Sequence, residues 1–123
     1  MYQPSKRELS YSSGGHPPAL LLSRGEVIPL VTEGASIGCV DNARFVSAKQ
    51  SVEPGARLLV FSDGIFEIFL EGDRVRTWEE FLAEFINAEV AAMNPAARLK
   101  HTQALRGAEI LEDDFSLLEI RFP

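Results

Sequence analysis

Apolar positions along this chain follow two spacings. From Glu8 to Phe61 they come at every second residue or in short runs, the mark of half-buried and buried strands. From Trp78 to Val90 they recur every third or fourth residue, the mark of an amphipathic helix. The strongest run is Leu58 to Phe61, LLVF. It is short and bounded upstream by Pro54-Gly55, so it predicts a buried strand rather than a helix.

The other elements follow in order. Met1 to Arg7 is polar, contains Pro4 and reads as the tail of a preceding element. Glu8 to Ser13 alternates, with Leu9 and Tyr11 on one face, and predicts a strand. Gly14-Gly15-His16-Pro17-Pro18 breaks it. Ala19 to Leu22 and Glu26 to Val31, joined by Ser23-Arg24-Gly25, predict a β-hairpin. Thr32 to Gly38 is a loop, and Ala43 to Val52 reads as a strand with Phe45 and Val46 its strongest members. Ile65 to Leu70 reads as a short helix, although its β-branched and aromatic content leaves a strand open.

Gly72-Asp73 is a turn. Thr77 with Glu80 three residues on forms a capping box. The stripe Trp78, Phe81, Leu82, Phe85, Ile86 and Val90 then predicts one helix from Thr77 to Met93, packed on the core. Asn94-Pro95 ends it. Ala96 to Arg106 predicts a second helix closed by Gly107, and Ser116 to Phe122 a last strand. The pattern predicts an α+β fold of mainly antiparallel sheet with one or two packed helices, as a single domain over 1–123 without internal repeats.

Composition narrows the class. Hydrophobic residues make up 46% and charged residues 24% of the 123 positions, ordinary values for a globular protein with one modest core. The net charge of −6 argues against a nucleic-acid backbone or an anionic membrane as the main partner. The lone Cys39 rules out an internal disulfide and a thiolate zinc cluster. No membrane span or signal pattern is present in these residues, so the expected location is the cytoplasm.

Two acidic positions carry the candidate chemistry. Asp63 follows the central apolar run and precedes Gly64, so it stands at the rim of a sheet. It can cap the segment that follows or serve as a site carboxylate. Glu112-Asp113-Asp114 stands just before the last strand. It is either an acidic turn or a second edge carboxylate group, and adjacent strands would bring Asp63 and Asp113 together. Hard cations such as Mg²⁺ and Mn²⁺ favour such oxygen ligands.

Three segments resemble one family. SSGGHPPALLL at 12–22, PGARLLVFSDGIFEIF at 54–69 and DDFSLLEIRF at 113–122 occur in the order, and with the motifs, of the C-terminal half of metal-dependent serine/threonine protein phosphatases. This is the PPM family, and the likeness is to its bacterial branch of sporulation stage II protein E and sigma-factor-regulator phosphatases. The resemblance implies an α+β sandwich of which this chain is half. It implies that Asp63 and Asp113 are metal ligands for Mn²⁺ or Mg²⁺. Gly64 is then the turn glycine, and Asp114 and Ser116 support the ligands. His16 matches the branch's histidine, with no chemical role assigned to it. Ser62, Ser13-Gly14, Ala56 and Ser116 are small departures from the motifs.

One departure is large. Members bring two further metal aspartates from an N-terminal half, and the seven residues before the first matching strand contain no acidic residue. The expectation is therefore a domain part that holds at most one cation, weakly, and is inactive alone. Its expected partners are a phosphoprotein such as an anti-sigma-factor antagonist and the missing N-terminal half or a second copy of itself. A stand-alone, catalytically dead half-domain acting as a binding or scaffold module is the alternative.

Overall fold

The computed structural model describes residues 1–123. Its centre is a four-stranded sheet in the order β4-β3-β6-β9, formed by β3 (Ala19–Ser23), β4 (Glu26–Leu30), β6 (Arg57–Phe61) and β9 (Leu117–Arg121). A smaller sheet, β1-β2-β5, combines β1 (Tyr2–Gln3), β2 (Glu8–Tyr11) and β5 (Ala48–Ser51). A two-stranded ribbon pairs β7 (Phe69–Leu70) with β8 (Arg74–Val75). Every pairing is antiparallel, so the α+β, mainly antiparallel fold expected from the pattern is the fold found.

The pleat sorts the side chains of the central sheet onto two faces. Leu20, Leu22, Leu59 and Phe61 face a helical layer that contributes Phe81 and Phe85. Leu21, Leu30, Leu58 and Phe122 face the small sheet, which contributes Leu9 and Val52. The molecule is thus three layers deep: helices, central sheet, small sheet. The β3–β4 hairpin turns through Arg24 and Gly25, both at positive φ (52° and 80°), the backbone that a two-residue hairpin loop requires.

The structure corrects several expectations. Residues 1–7 are not a tail: β1 pairs with β2, Tyr2 opposite Leu9, and Tyr2 packs its ring on Phe122 at 4.7 Å. The strand expected over Ala43 to Val52 is confined to β5. Phe45 and Val46 lie in the preceding loop and are largely exposed. The Phe45 ring lies against Gly14, and the Val46 carbonyl accepts the Ser12 hydroxyl at 2.9 Å. Ile65 to Leu70 is not a helix. A single 3₁₀ turn over Asp63–Ile65 is followed by β7, the outcome that its β-branched and aromatic residues favour.

The long helix is also divided. α1 (Trp78–Ala83) begins with the Thr77/Glu80 capping box, as its pattern predicts. A 3₁₀ turn over Glu84–Ile86 and α2 (Ala88–Ala92) then follow. The break has a local cause. Asn87 leaves the helical region (ψ 117°), and its carboxamide oxygen accepts the N–H groups of Glu89 and Val90, starting a new helix. The shift turns Ile86 to solvent, 85% exposed. α3 (Pro95–Arg106) has Asn94 as N-cap, Pro95 at its first position and Gly107 at φ 73° as its stop.

Arginines tie the helical layer together. Arg98 is 1% exposed, lies 4.4 Å over the Phe85 ring and donates to the Val90 carbonyl at 2.6 Å. Burial pulls its pKa down to about 10. Arg57, on β6, donates to the Ala91 and Met93 carbonyls at the end of α2 and pairs with Glu119 of β9 at 2.7 Å. The Arg57 hydrogen bond holds the Glu119 carboxyl below its ordinary range.

Candidate metal centre

The site is built where β6 leaves the central sheet. β6 and β9 are neighbours, with Phe61 opposite Leu117, so the segment after β6 lies beside the segment before β9. Ser62 joins the two. Its N–H donates to the Ser116 carbonyl at 3.0 Å. Its hydroxyl donates to the Asp114 carbonyl at 2.6 Å and accepts the Ser116 N–H at 2.9 Å. Gly64 completes the contact. A Cβ at this position would meet the Asp114 carbonyl oxygen at 2.5 Å and the Asp113 carbonyl carbon at 3.1 Å. Only glycine lets the Asp63 turn lie flat against the Asp113-Asp114 backbone.

The two carboxylates are held in matching ways. Asp63 Oδ1 accepts the N–H of Gly64 at 3.1 Å, and Asp113 Oδ1 accepts the N–H of Asp114 at 2.7 Å. Each keeps its second oxygen free of protein donors, both side chains are exposed, and neither pairs with a lysine or arginine. Asp63 does not cap a helix with its side chain; its backbone carbonyl accepts the Phe66 and Glu67 N–H groups instead, both at 2.9 Å. The turn is anchored from behind by Arg76. This buried side chain donates to the Ile65 and Phe66 carbonyls at 2.6 and 3.1 Å and pairs with Glu84. Burial lowers the Arg76 pKa, a shift opposed by Glu84.

An exposed carboxylate pair with free oxygens and no cationic partner fits a hard divalent cation. By itself it falls short of a metal centre: no group of three or more His, Cys, Asp or Glu side chains is placed to hold an ion.

Asp63 also lines an open cleft of about 530 Å³ with His16, Glu67, Thr32 and Trp78. Asp113 is not in its wall. The structure therefore brings His16 to Asp63 through this cleft, while Asp113 adjoins Asp63 through Gly64. Asp114 and Ser116 act through their backbones, in the bonds to Ser62. Ser62, Glu67, Thr32 and Trp78 are not among the site residues that the sequence pattern marks. Ser62 is the traceable omission, since a hydroxyl at the end of a buried strand beside a DDxS segment is a natural bridge.

The glycines before His16 have a similar reason. A Cβ on Gly14 would meet Ile37 at 2.6 Å, and one on Gly15 (φ +87°) would meet Ser36 at 2.2 Å. The loop after β4 is laid across them. The Ser13 N–H donates to Thr32 Oγ1 at 2.8 Å and the Ile37 N–H to the Gly14 carbonyl at 3.0 Å.

This layered architecture is that of PP2C-type phosphatase domains. The phosphatase domain of the cell fate determinant SpoIIE from Bacillus subtilis, in a manganese-presoaked form, superposes with a TM-score of 0.69 at 16% identity. The match covers 99% of this chain and 54% of that one. A structure of the same protein's PP2C phosphatase domain with a fragment of its regulatory domain gives a TM-score of 0.74 at 17% identity, over 95% and 34%. The RsbU and RsbW domains of Rv1364c from Mycobacterium tuberculosis give 0.68 at 26% identity, over 96% and 33%.

The whole sequence, residues 1–123, matches the family Stage II sporulation protein E (SpoIIE), and the chain belongs to that family. It spans about half or less of the structures it matches. Among curated protein sequences nothing matches. No helix is long and apolar enough to cross a membrane.

Proposed function

We propose that this chain is the C-terminal part of a metal-dependent phosphoserine/phosphothreonine protein phosphatase of bacterial signalling. In this reading Asp63 and Asp113 bind Mn²⁺ or Mg²⁺. The observation that carries it is the junction of the Asp63 turn with the Asp113-Asp114 segment across Gly64. The backbones that carry the two carboxylates touch there, at the edge of a SpoIIE-family fold, and each carboxylate has an oxygen free of protein donors. Bound divalent cations would supply charge neutralisation for phosphate oxygens and a nucleophilic water. The chain's own residues have three tasks. Asp63 and Asp113 hold the cation, Ser62 and Gly64 keep their backbones in register, and the cleft beside Asp63 admits the phosphorylated side chain. Substrates of this class are phosphoproteins such as an anti-sigma-factor antagonist.

Two carboxylates hold one cation weakly, in the roughly millimolar range of undemanding oxygen sites. The chain alone is therefore expected to turn over little phosphate. Joined to the preceding part of a SpoIIE-type phosphatase domain, it should hydrolyse p-nitrophenyl phosphate with added Mn²⁺. Asp63→Asn or Asp113→Asn should abolish that turnover and weaken calorimetric Mn²⁺ binding while the circular dichroism spectrum is retained. Full activity in Asp63→Asn would remove the assignment.

A further inference from the structure

Asp63 shares its turn with two other residues of the cleft. Its backbone carbonyl accepts the N–H groups of Phe66 and Glu67, both at 2.9 Å, so the turn that places the carboxylate also places them. The Phe66 ring meets Trp78 edge to face, with centroids 5.2 Å apart. Phe66, Glu67 and Trp78 all line the cleft of about 530 Å³ beside Asp63. We propose that Trp78 and Glu67 select the substrate: the cleft takes a phosphoserine whose neighbouring residue is apolar and rejects one whose neighbour is acidic. The inference rests on the phosphatase reading of the Asp63 site.

Trp78 supplies the apolar surface. It is half-buried, so part of its ring stays open to the cleft while Phe61 and Phe81 back it at 6.4 and 5.6 Å. It stands at the first position of α1, fixed by the Thr77/Glu80 capping box and by the Arg74–Glu80 ion pair at 2.7 Å. A ring held in this way gives up little conformational freedom when a side chain packs on it. Pro17 and Pro18 add two more rigid, apolar rings to the same cleft. Its volume is that of a small-ligand pocket, more than one phosphorylated side chain fills.

Glu67 supplies the exclusion. Its side chain is exposed and pairs with no cation. Apart from His16, the titratable side chains of the cleft are Asp63 and Glu67, and no lysine or arginine lines it. An aspartate or glutamate next to the phosphoserine would set another negative charge beside Glu67, with no protein cation to neutralise it. A neighbour of leucine's size meets no such repulsion and covers the exposed part of the Trp78 ring. Attraction at one residue and repulsion at the other thus favour the same substrates.

Two phosphoserine peptides provide the test, one with leucine and one with aspartate on both sides of the phosphoserine. In the complete domain with Mn²⁺, kcat/KM for the leucine peptide should exceed that for the aspartate peptide by about 10-fold or more, mainly through KM, the discrimination that an apolar subsite reaches. Trp78→Ala should lower kcat/KM for the leucine peptide about tenfold more than for the aspartate peptide. Glu67→Gln, at an exposed position, should raise kcat/KM for the aspartate peptide by about threefold or more. Equal kcat/KM for the two peptides in the unsubstituted domain would overturn the proposal while leaving the phosphatase reading intact. So would equal losses on both peptides in Trp78→Ala. If Trp78→Ala does not fold, Glu67→Gln decides, and no gain on the aspartate peptide overturns the proposal. Absence of turnover of both peptides and of p-nitrophenyl phosphate by the unsubstituted domain would overturn the phosphatase reading with it.

Discussion

Ser62 and Gly64 do at single positions what the rest of the site depends on. The hydroxyl of Ser62 and its backbone N–H cross-link two loops through three hydrogen bonds. The missing side chain of Gly64 lets those loops touch. Neither residue holds a ligand, so both act by placing Asp63 and Asp113. Gly64→Ala should cost about 2–3 kcal/mol in urea melts, because the added carbon must push backbone rather than a flexible side chain. Gly55→Ala is the comparison. Gly55 has open space around its would-be Cβ but sits at φ +76°, so only backbone strain of about 1–2 kcal/mol applies. A cost for Gly64→Ala no larger than that for Gly55→Ala would show that the two loops are not in tight contact.

At the scale of elements, β6 and the divided helix carry the structure. Leu59 faces the helical layer at 2% exposure, and Phe85 meets it from the 3₁₀ turn between α1 and α2. Leu59→Ala and Phe85→Ala should each destabilise by about 2–5 kcal/mol, the usual cost of a large-to-small change in a packed core. Ile86, next in sequence and mostly in solvent, should tolerate alanine within about 0.5 kcal/mol. Chemical denaturation of the three variants distinguishes the divided helix from a continuous one, in which Ile86 would belong to the buried stripe. Shifts below about 0.5 kcal/mol for Leu59→Ala and Phe85→Ala would overturn the core assignment.

The whole molecule has one open side. The small sheet covers only part of the central sheet's second face. Leu118 (57% exposed) and Ile120 (40% exposed) stay accessible on the edge strand β9, opposite Val60 and Leu58. Ile120 borders a groove of about 780 Å³ that also runs past Tyr2, Tyr11 and Val60. An unpaired apolar edge of this kind associates with whatever strand or apolar face is offered. In light scattering at high concentration the 123-residue chain should therefore form dimers or larger species. Leu118→Lys combined with Ile120→Lys should return it towards monomer. A compact monomer for the unsubstituted chain would show that this face is stable in water as it stands.

The sequence by itself determined the features that depend on neighbours along the chain. The alternation of β2, the LLVF run of β6, the capping box at Thr77, the hairpin at Arg24-Gly25 and the stop at Gly107 are all local, and all stand where the pattern puts them. It also marked Asp63 and Asp113 as edge carboxylates, since strand ends and acidic turns are visible in one dimension. Tertiary structure decided the rest. Ile65 to Leu70 became a turn and a strand because β8 and Arg76 offered partners that a lone six-residue helix lacks. The stripe after Thr77 was cut because the carboxamide of Asn87 competes with the backbone for N–H groups, and periodicity does not register that competition. Phe45 and Val46 left the strand for a loop laid over Gly14 and Gly15, a contact between segments some thirty residues apart in sequence. The approach of His16 to Asp63 across one cleft has the same character. Nothing in the spacing of the two residues encodes it, because it is set by how two distant segments fold back on the central sheet.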